Sequence, residues 1–487
     1  MHSASLRAPD RGILGTAAVV SIPKGVRAVI FTQYYLDCLS QASYLIGDET
    51  AGEAVVVDPR RDVAEYVADA RAQGLRIVGV INTHFHADFL AGHLELAEAT
   101  GAWIGYGRRA ETEFPIRHLA DGERIALGDV VLEIMETPGH TPESISIAAF
   151  EHAGDTVPYG VLTGDALFIG DVGRPDLLSS AGQTADGLAR MLHASIGRLM
   201  ALPDPVRVFP AHGAGSACGK NLSTEKWSTI GAQRTGNYAC QPMTEDQFVA
   251  LVTAGQPAAP GYFGYDAVLN RSAHEVFDPA RSTRPLELPE VLDLQDAGAV
   301  LLDARNPQEF ATGHLIGSLN VPADGRFAET AGTVVRPEQQ LVVVAPPDRE
   351  DEIVIRLARI GFDRVTGYLR DPESAFEAAA DRVARGSRLT APELAAALRE
   401  PRPPVLVDVR NPGELAAGAI PGARHIPLAQ LPGRLAEIPQ DRPVVAYCAG
   451  GYRSSVAAAL LRREGLADVS DLIGGYGAWT ALAASVG

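Results

Sequence analysis

The sequence predicts an α/β protein, built as one sheet-rich domain followed by two copies of a smaller parallel α/β unit. Three observations carry that reading. The chain has 487 residues, too many for one hydrophobic core, and domains of roughly 100 to 200 residues divide it into about three. Its first half alternates strand-like and helix-like runs, and several of those strands run into histidine or aspartate. Its second half repeats itself, and alternation of strand and helix in each copy folds as a mainly parallel sheet covered on both faces.

In the first domain, which follows an N-terminal extension over residues 1–27, the segment AVVVDP from Ala54 reads as a buried strand. The amphipathic helix VAEYVADARAQG and the strand RIVGVINT follow. That second strand ends at THFHADFLAGH, residues 83–93. Two later strand-like runs, VVLEIMETPGH and YGVLTGDALFIGD, also end in a histidine or aspartate beside glycine. The pattern describes a sheet edge assembling one site, with His84, His86, Asp88, His140, Asp165 and His212 as candidate metal ligands. Six ligand-type residues on strand-end loops favour a metal site over six separately hydrogen-bonded side chains.

Near residues 256–265 (QPAAPGYFGY) proline, glycine and aromatic residues replace periodic sequence, which places the first boundary there and the first domain at residues 28–265. Beyond it, VLLDARNPQEFATGHLIGSLNVP (300–322) matches VLVDVRNPGELAAGAIPGARHIP (405–427). Asp303, Arg305, Asn306, Pro307, Glu309, Gly313 and Gly317 recur at Asp408, Arg410, Asn411, Pro412, Glu414, Gly418 and Gly422 in constant register. The copies are expected over residues 270–382 and 388–487. Cys448, in AYCAGGYRSS, lies between strand and helix of the second copy, where Gly450 and Gly451 let amide N–H groups turn towards one anion. The helix's positive end and Arg453 favour the thiolate, so Cys448 reads as a nucleophile cradled by Ala449, Gly450, Gly451 and Tyr452. In the first copy the corresponding stretch is APPDRED, without cysteine or glycine.

Composition narrows the function classes. A net charge of −18 and a pI near 5.1 argue against nucleic-acid binding, which needs a clustered basic surface. No apolar run approaches the ~18 residues of a membrane span, so no membrane partner is expected. Pro23 and Lys24 interrupt the short apolar stretch of the extension and no clear small-residue cleavage site follows it, so a cleaved signal is not expected. Four cysteines, at 38, 218, 240 and 448, without a CxxC pair, fit a reducing, cytoplasmic compartment.

The order HxHxD, GHT, GDALF and PAHG resembles the metallo-β-lactamase superfamily over about residues 28 to 240, which implies an αββα sandwich. In dinuclear hydrolases of that superfamily a histidine follows the loop aspartate and helps bind a second metal. Here Phe89 stands in its place. GDALFIGDVGRPD, residues 164–176, resembles the persulfide dioxygenase branch, which implies one iron(II) held by His84, His140 and Asp165, with His86, Asp88 and His212 as outer or vestigial residues. Two imidazoles and a carboxylate leave positions open for substrate and dioxygen.

The Cys448 segment, with DVRNPGELAAGAIPGA and LIGGYGAW, resembles the rhodanese family, whose cysteine carries a persulfide sulfur. Its loop is the short, sulfur-sized form. Residues 270–382 resemble a rhodanese-homology domain that has lost its cysteine, with His314 and His425 as packing or surface residues. The whole chain resembles persulfide dioxygenase–rhodanese fusions. That resemblance implies a bifunctional sulfide-detoxifying enzyme: oxidation of a thiol persulfide to sulfite, and sulfur transfer between persulfide, sulfite and thiosulfate in either direction. Glutathione, coenzyme A or a similar thiol is the implied carrier, and a homo-oligomer the expected assembly. Cys218 reads equally as structural or sulfur-accepting, and Cys38 is a weaker candidate of the same type. Arg174 and Lys220 are candidate contacts for an anionic carrier. Two other readings stay open: a two-zinc thioester hydrolase of glyoxalase II type with an appended sulfurtransferase, and a sulfur-relay or redox-sensing protein with a structural metal.

Overall fold

The computed structural model describes residues 29–177, 182–256, 258–278 and 284–486, so the 1–27 extension lies outside the described residues. Two compact units emerge. One holds the chain through His86, Ala91–Ala254 and Asn270–His274, and the other holds Ala87–Leu90, Gly255–Leu269 and the chain from Glu275 onwards.

The first unit contains two six-stranded sheets, and alternation of side chains explains how they pack. In strand Glu53–Val57, Val55 and Val57 turn towards Leu132, Ile134, Ile147, Leu162 and Phe209 of the opposite sheet. Ala54 and Val56 turn the other way, onto Tyr66, Ala70 and Leu96 of the covering helices. The second sheet does the same: Val131 and Met135 face out, onto Leu192 and Ile196 of helix Ala185–Met200 and Phe248 of helix Glu245–Thr253. The result is an αββα sandwich, the architecture the sequence predicts.

The second unit contains two five-stranded sheets of the same order. Strands Pro285–Leu286, Val365–Leu369, Leu341–Val344, Val300–Asp303 and Leu319–Asn320 lie side by side in one. Ser387–Leu389, Val469–Leu472, Val444–Tyr447, Val405–Asp408 and Arg424–His425 do so in the other. Their ladders are parallel, with Asp303 opposite Val344 and Asp408 opposite Tyr447. Ala345 therefore takes in the first copy the place that Cys448 takes in the second.

The recurring Asp-x-Arg-Asn motif has a structural cause. Asp303 and Asp408 are buried and each grips the arginine two residues on, Arg305 at 2.5 Å and Arg410 at 2.6 Å. Each guanidinium then donates to the carbonyl of Gly313 or Gly418, tying the strand end to the following turn. Among the described residues no helix is long and apolar enough to cross a membrane.

Candidate metal centre and cysteine loop

Four strands deliver the first site. His84 follows strand Arg76–Ile81, His140 follows Val130–Glu136, Asp165 follows Gly160–Gly164, and His212 follows Arg207–Pro210. His84, His140 and Asp165 are 1 % exposed, and their ligand atoms lie within 4.8 Å of one another. Asp165 Oδ2 stands 3.8 Å from His84 Nε2 and 3.5 Å from His140 Nε2, and its Oδ1 stands 3.5 Å from His212 Nε2. The ring of His86 lies 4.2 Å from that of His84, and Asp88, further along the same loop, is buried. Phe89 is fully buried and offers no donor atom.

Each imidazole has its tautomer set by a partner behind it. His140 Nδ1 meets the Arg174 carbonyl at 2.9 Å and His212 Nδ1 meets the Ser40 carbonyl at 3.2 Å, so each Nδ1 carries the proton and each Nε2 lone pair faces Asp165. The Thr83 hydroxyl donates to Asp58 Oδ2, which leaves its oxygen to accept from His84 Nδ1 at 2.9 Å. Burial, then the neighbouring histidines His86, His140 and His212, hold His84 well below its usual range and therefore neutral. Gly173 is required here, because a Cβ on it would stand 2.0 Å from the Asp165 carbonyl.

These residues fit a metal ion. His84 Nε2 and both carboxylate oxygens of Asp165 are buried and make no hydrogen bond. A buried carboxylate beside neutral imidazole lone pairs is costly, and a cation at their centre relieves it. The donor set, two nitrogens and a carboxylate, suits iron(II) and also zinc.

Asp58 is a supporting residue that the sequence reading does not single out. Its carboxylate accepts from the Thr83 amide, the Thr83 hydroxyl and His86 Nε2, at 2.7, 2.9 and 3.0 Å, so it sets both histidines of the loop. Its position after a buried strand and before Pro59 was the available signal.

Cys218 is 1 % exposed, and its sulfur lies within 4.8 Å of ligand atoms of Asp165 and His212. Cys38 is half-buried on the turn between strands Val29–Leu36 and Gln41–Asp48. Burial pushes the Cys240 thiol up to about 12. Arg174 is buried, and its guanidinium is held by Asp176 at 2.8 and 2.7 Å and by the Ala217 carbonyl at 3.2 Å. Lys220 Nζ donates to the carbonyls of Leu251 and Ala254, at 2.8 and 3.1 Å, where a cation complements the end of helix Glu245–Thr253. Both cations thus serve the protein's own carboxylate and carbonyls.

The second site is the turn between strand Val444–Tyr447 and helix Tyr452–Arg463. Cys448 Sγ is buried and accepts from the Gly451 amide at 3.1 Å, and the Ser454 hydroxyl lies 3.6 Å away. Gly451 takes φ +101, a conformation that favours glycine. The loop's carbonyls point away from the sulfur: those of Cys448 and Ala449 accept from the amides of Tyr476 and Gly477 at 2.7 and 3.0 Å. Gly475 has no room for a Cβ, which would stand 2.3 Å from the Cys448 carbonyl. Arg453, whose positive charge lies near Cys448, forks onto Glu414 with two 2.7 Å bonds, a rigid bidentate arrangement. Glu414 recurs in the repeat as Glu309, but its partnership with Arg453 spans 39 residues and no local pattern announces it. His314 is buried and His425 half-buried, each hydrogen-bonded to a backbone carbonyl.

Comparison with known proteins follows this division. The family model of the metallo-beta-lactamase superfamily matches residues 36–212, and that of the rhodanese-like domain matches 287–366 and 390–482. "Persulfide dioxygenase ETHE1, mitochondrial" of Homo sapiens is 30% identical over 171 residues, which are 35% of this chain and 63% of that protein. The chain thus spans less than two thirds of that relative's length. A hydroxyacylglutathione hydrolase of Rhodospirillum rubrum is 30% identical over 231 residues, 47% of this chain and 80% of that protein. Among solved structures, a metallo-beta-lactamase from Staphylococcus aureus subsp. aureus COL is 32% identical, covers 71% of this chain and 100% of its own, and superposes with a TM-score of 0.64.

Proposed function

We propose, since this chain belongs to the metallo-β-lactamase superfamily and carries two rhodanese-like domains behind that fold, that it oxidises a low-molecular-weight persulfide and passes sulfur through Cys448. The observation that carries this reading is the presence, in one chain, of a two-histidine, one-carboxylate pocket and a buried cysteine whose sulfur accepts from a backbone amide of its own turn. Similarity to persulfide dioxygenases supplies the substrate class. The first reaction is R–SSH + O2 + H2O giving R–SH and sulfurous acid, which ionises to sulfite.

His84, His140 and Asp165 would hold one iron(II), which when bound supplies activation of dioxygen next to the persulfide sulfur. The protein's part is orientation. The carbonyls of Arg174 and Ser40 and the Thr83 hydroxyl keep the ring nitrogens of His140, His212 and His84 aimed inwards. Phe89, buried and without a donor atom, supports a single-metal site.

In the cysteine turn, the Cys448 thiolate attacks the outer sulfur of R–SSH. The S–S bond breaks, R–SH leaves with the proton, and Cys448 keeps the sulfur as a persulfide. Sulfite then takes that sulfur, giving thiosulfate and regenerating the thiolate. The Gly451 amide and Arg453 stabilise the charge on sulfur through both steps. Glutathione, coenzyme A or a related thiol is the carrier.

Similarity to a hydroxyacylglutathione hydrolase at equal identity favours a second reading, thioester hydrolysis at two zinc ions. One experiment separates the two. The chain is purified anaerobically, its metal is assayed, and O2 uptake is followed with glutathione persulfide, beside His140→Ala. About one iron per chain, with uptake lost in His140→Ala, is the expected result. Two zincs, no O2 uptake and cleavage of an acylglutathione would establish the hydrolase instead.

A further inference from the structure

The cysteine turn has two anchors, and only one belongs to its own domain. The first is the pair of bonds from Tyr476 and Gly477 to its leading carbonyls. The second grips its far end. Tyr452, the residue after Gly451, sends its hydroxyl to the Pro322 carbonyl of the first copy at 3.0 Å. Its ring lies against Gly325, whose Cβ position is 3.6 Å from the nearest ring carbon.

The receiving segment, residues 322–325, is itself braced. Arg356, 6 % exposed, donates to the carbonyls of Ala323 and Gly325 at 2.5 and 2.6 Å and stacks on Phe327 at 5.2 Å. Arg349 adds a bond to Asp324 at 2.9 Å and a fork onto Glu352. The sheet registers make Arg349 the counterpart of Tyr452, since each is the fifth residue after the strand residue facing Asp303 or Asp408. The disused turn has a left-handed residue at the same position, Asp348 at φ +63 where Gly451 has φ +101, and its Arg349 side chain bonds Asp324 of the segment that receives Tyr452.

We propose that the silent rhodanese-like domain positions the working one: Tyr452, seated on residues 322–325 and held there through Arg356, fixes the Gly451 amide against Cys448. A turn with two adjacent glycines has little stiffness of its own, while an anion cradle works only when its donors are held within about 0.5 Å. Tyr452 and Arg356 are positioning residues. The inference rests on the reading of Cys448 as the sulfur carrier.

The test uses the full chain and two variants. Tyr452→Phe removes the bond to Pro322 and keeps the ring. Arg356→Lys touches nothing in the turn, and an ammonium group lacks the fork that reaches two carbonyls. For each, sulfur transfer from thiosulfate to cyanide gives kcat and KM, alkylation of Cys448 by iodoacetamide is followed across pH, and thermal unfolding reports integrity. The expected result is a kcat about tenfold lower in both variants, the rate equivalent of one neutral hydrogen bond, with a changed alkylation profile and an unchanged melting transition. Wild-type kcat and alkylation in Tyr452→Phe overturn the proposal, and they decide alone if Arg356→Lys does not fold. If wild type transfers no sulfur, or Cys448→Ser transfers it equally well, the reading of Cys448 has failed. The alkylation profiles then still decide whether the silent domain sets the turn.

Discussion

The two rhodanese-like copies share strand order, the buried Asp–Arg pair and the asparagine at the following helical turn, yet only one has a reactive turn. The second copy reads Cys448, Ala449, Gly450, Gly451, Tyr452, Arg453 where the first reads Ala345, Pro346, Pro347, Asp348, Arg349, Glu350. Prolines supply no N–H, and Glu350 puts negative charge where Arg453 puts positive. The scaffold and the chemistry are therefore separable: Asp303–Arg305 and Asp408–Arg410 maintain the fold in both, and six residues determine whether it handles an anionic sulfur.

The largest effect is expected from Cys448→Ser, which should lower sulfur transfer at least a thousandfold while O2 uptake continues and sulfite accumulates, as read by thiosulfate and sulfite assays. Installing Ala345→Cys in that variant tests the contrast directly. Activity should stay below about 1% of wild type, because the prolines remove two of the turn's amides and Glu350 stands where Arg453 does, and recovery would show that the cradle matters less than the thiol. The shared scaffold gives the next effect. Asp303→Ala and Asp408→Ala each leave a buried guanidinium without its carboxylate, and each should destabilise the second unit by about 3 to 5 kcal/mol in denaturant unfolding. Equal losses would confirm that the pair serves the fold and not the chemistry.

Glu414→Gln should have the smallest effect, a loss of a few-fold in kcat with little change in KM, through a looser Arg453. The same contact sets a pH dependence. Burial raises the Glu414 pKa, but the hydrogen bonds and charge of Arg453 outweigh it and hold the carboxyl below its usual range. A depressed carboxylate stabilises the fold above its unfolded pKa, near 4.3, and that stabilisation is lost as pH falls through the folded value. Unfolding followed between about pH 5 and 3 should show a shallower acid slope in Glu414→Gln than in wild type.

Much of this organisation is legible in the sequence because its signals are local. The histidine loop, the strand-end aspartate, the repeat register and the glycines around Cys448 each fit within a few residues. What was not legible depends on meetings across the chain. Asp58 gains its role from Thr83 and His86, 25 and 28 residues away, and Glu414 from Arg453. Arg174 and Lys220 stand in the sequence as cations suited to an anionic carrier, and nothing local shows that Asp176 and Ala217 engage the first or that helix-end carbonyls engage the second. Tyr452 reads as one more cradle residue until the first copy is seen beneath it.

The anchoring of the Cys448 and Ala449 carbonyls by Tyr476 and Gly477 also sets an order of maturation during synthesis. The last ligand candidate of the metal pocket, His212, precedes Gly477 by 265 residues (477 − 212), a delay of roughly 10 to 50 s at ordinary elongation rates. The pocket can therefore close on the ribosome while the sulfur-transfer turn still lacks the residues that hold its carbonyls. On each nascent chain, the half proposed to make sulfite is complete before the half proposed to consume it.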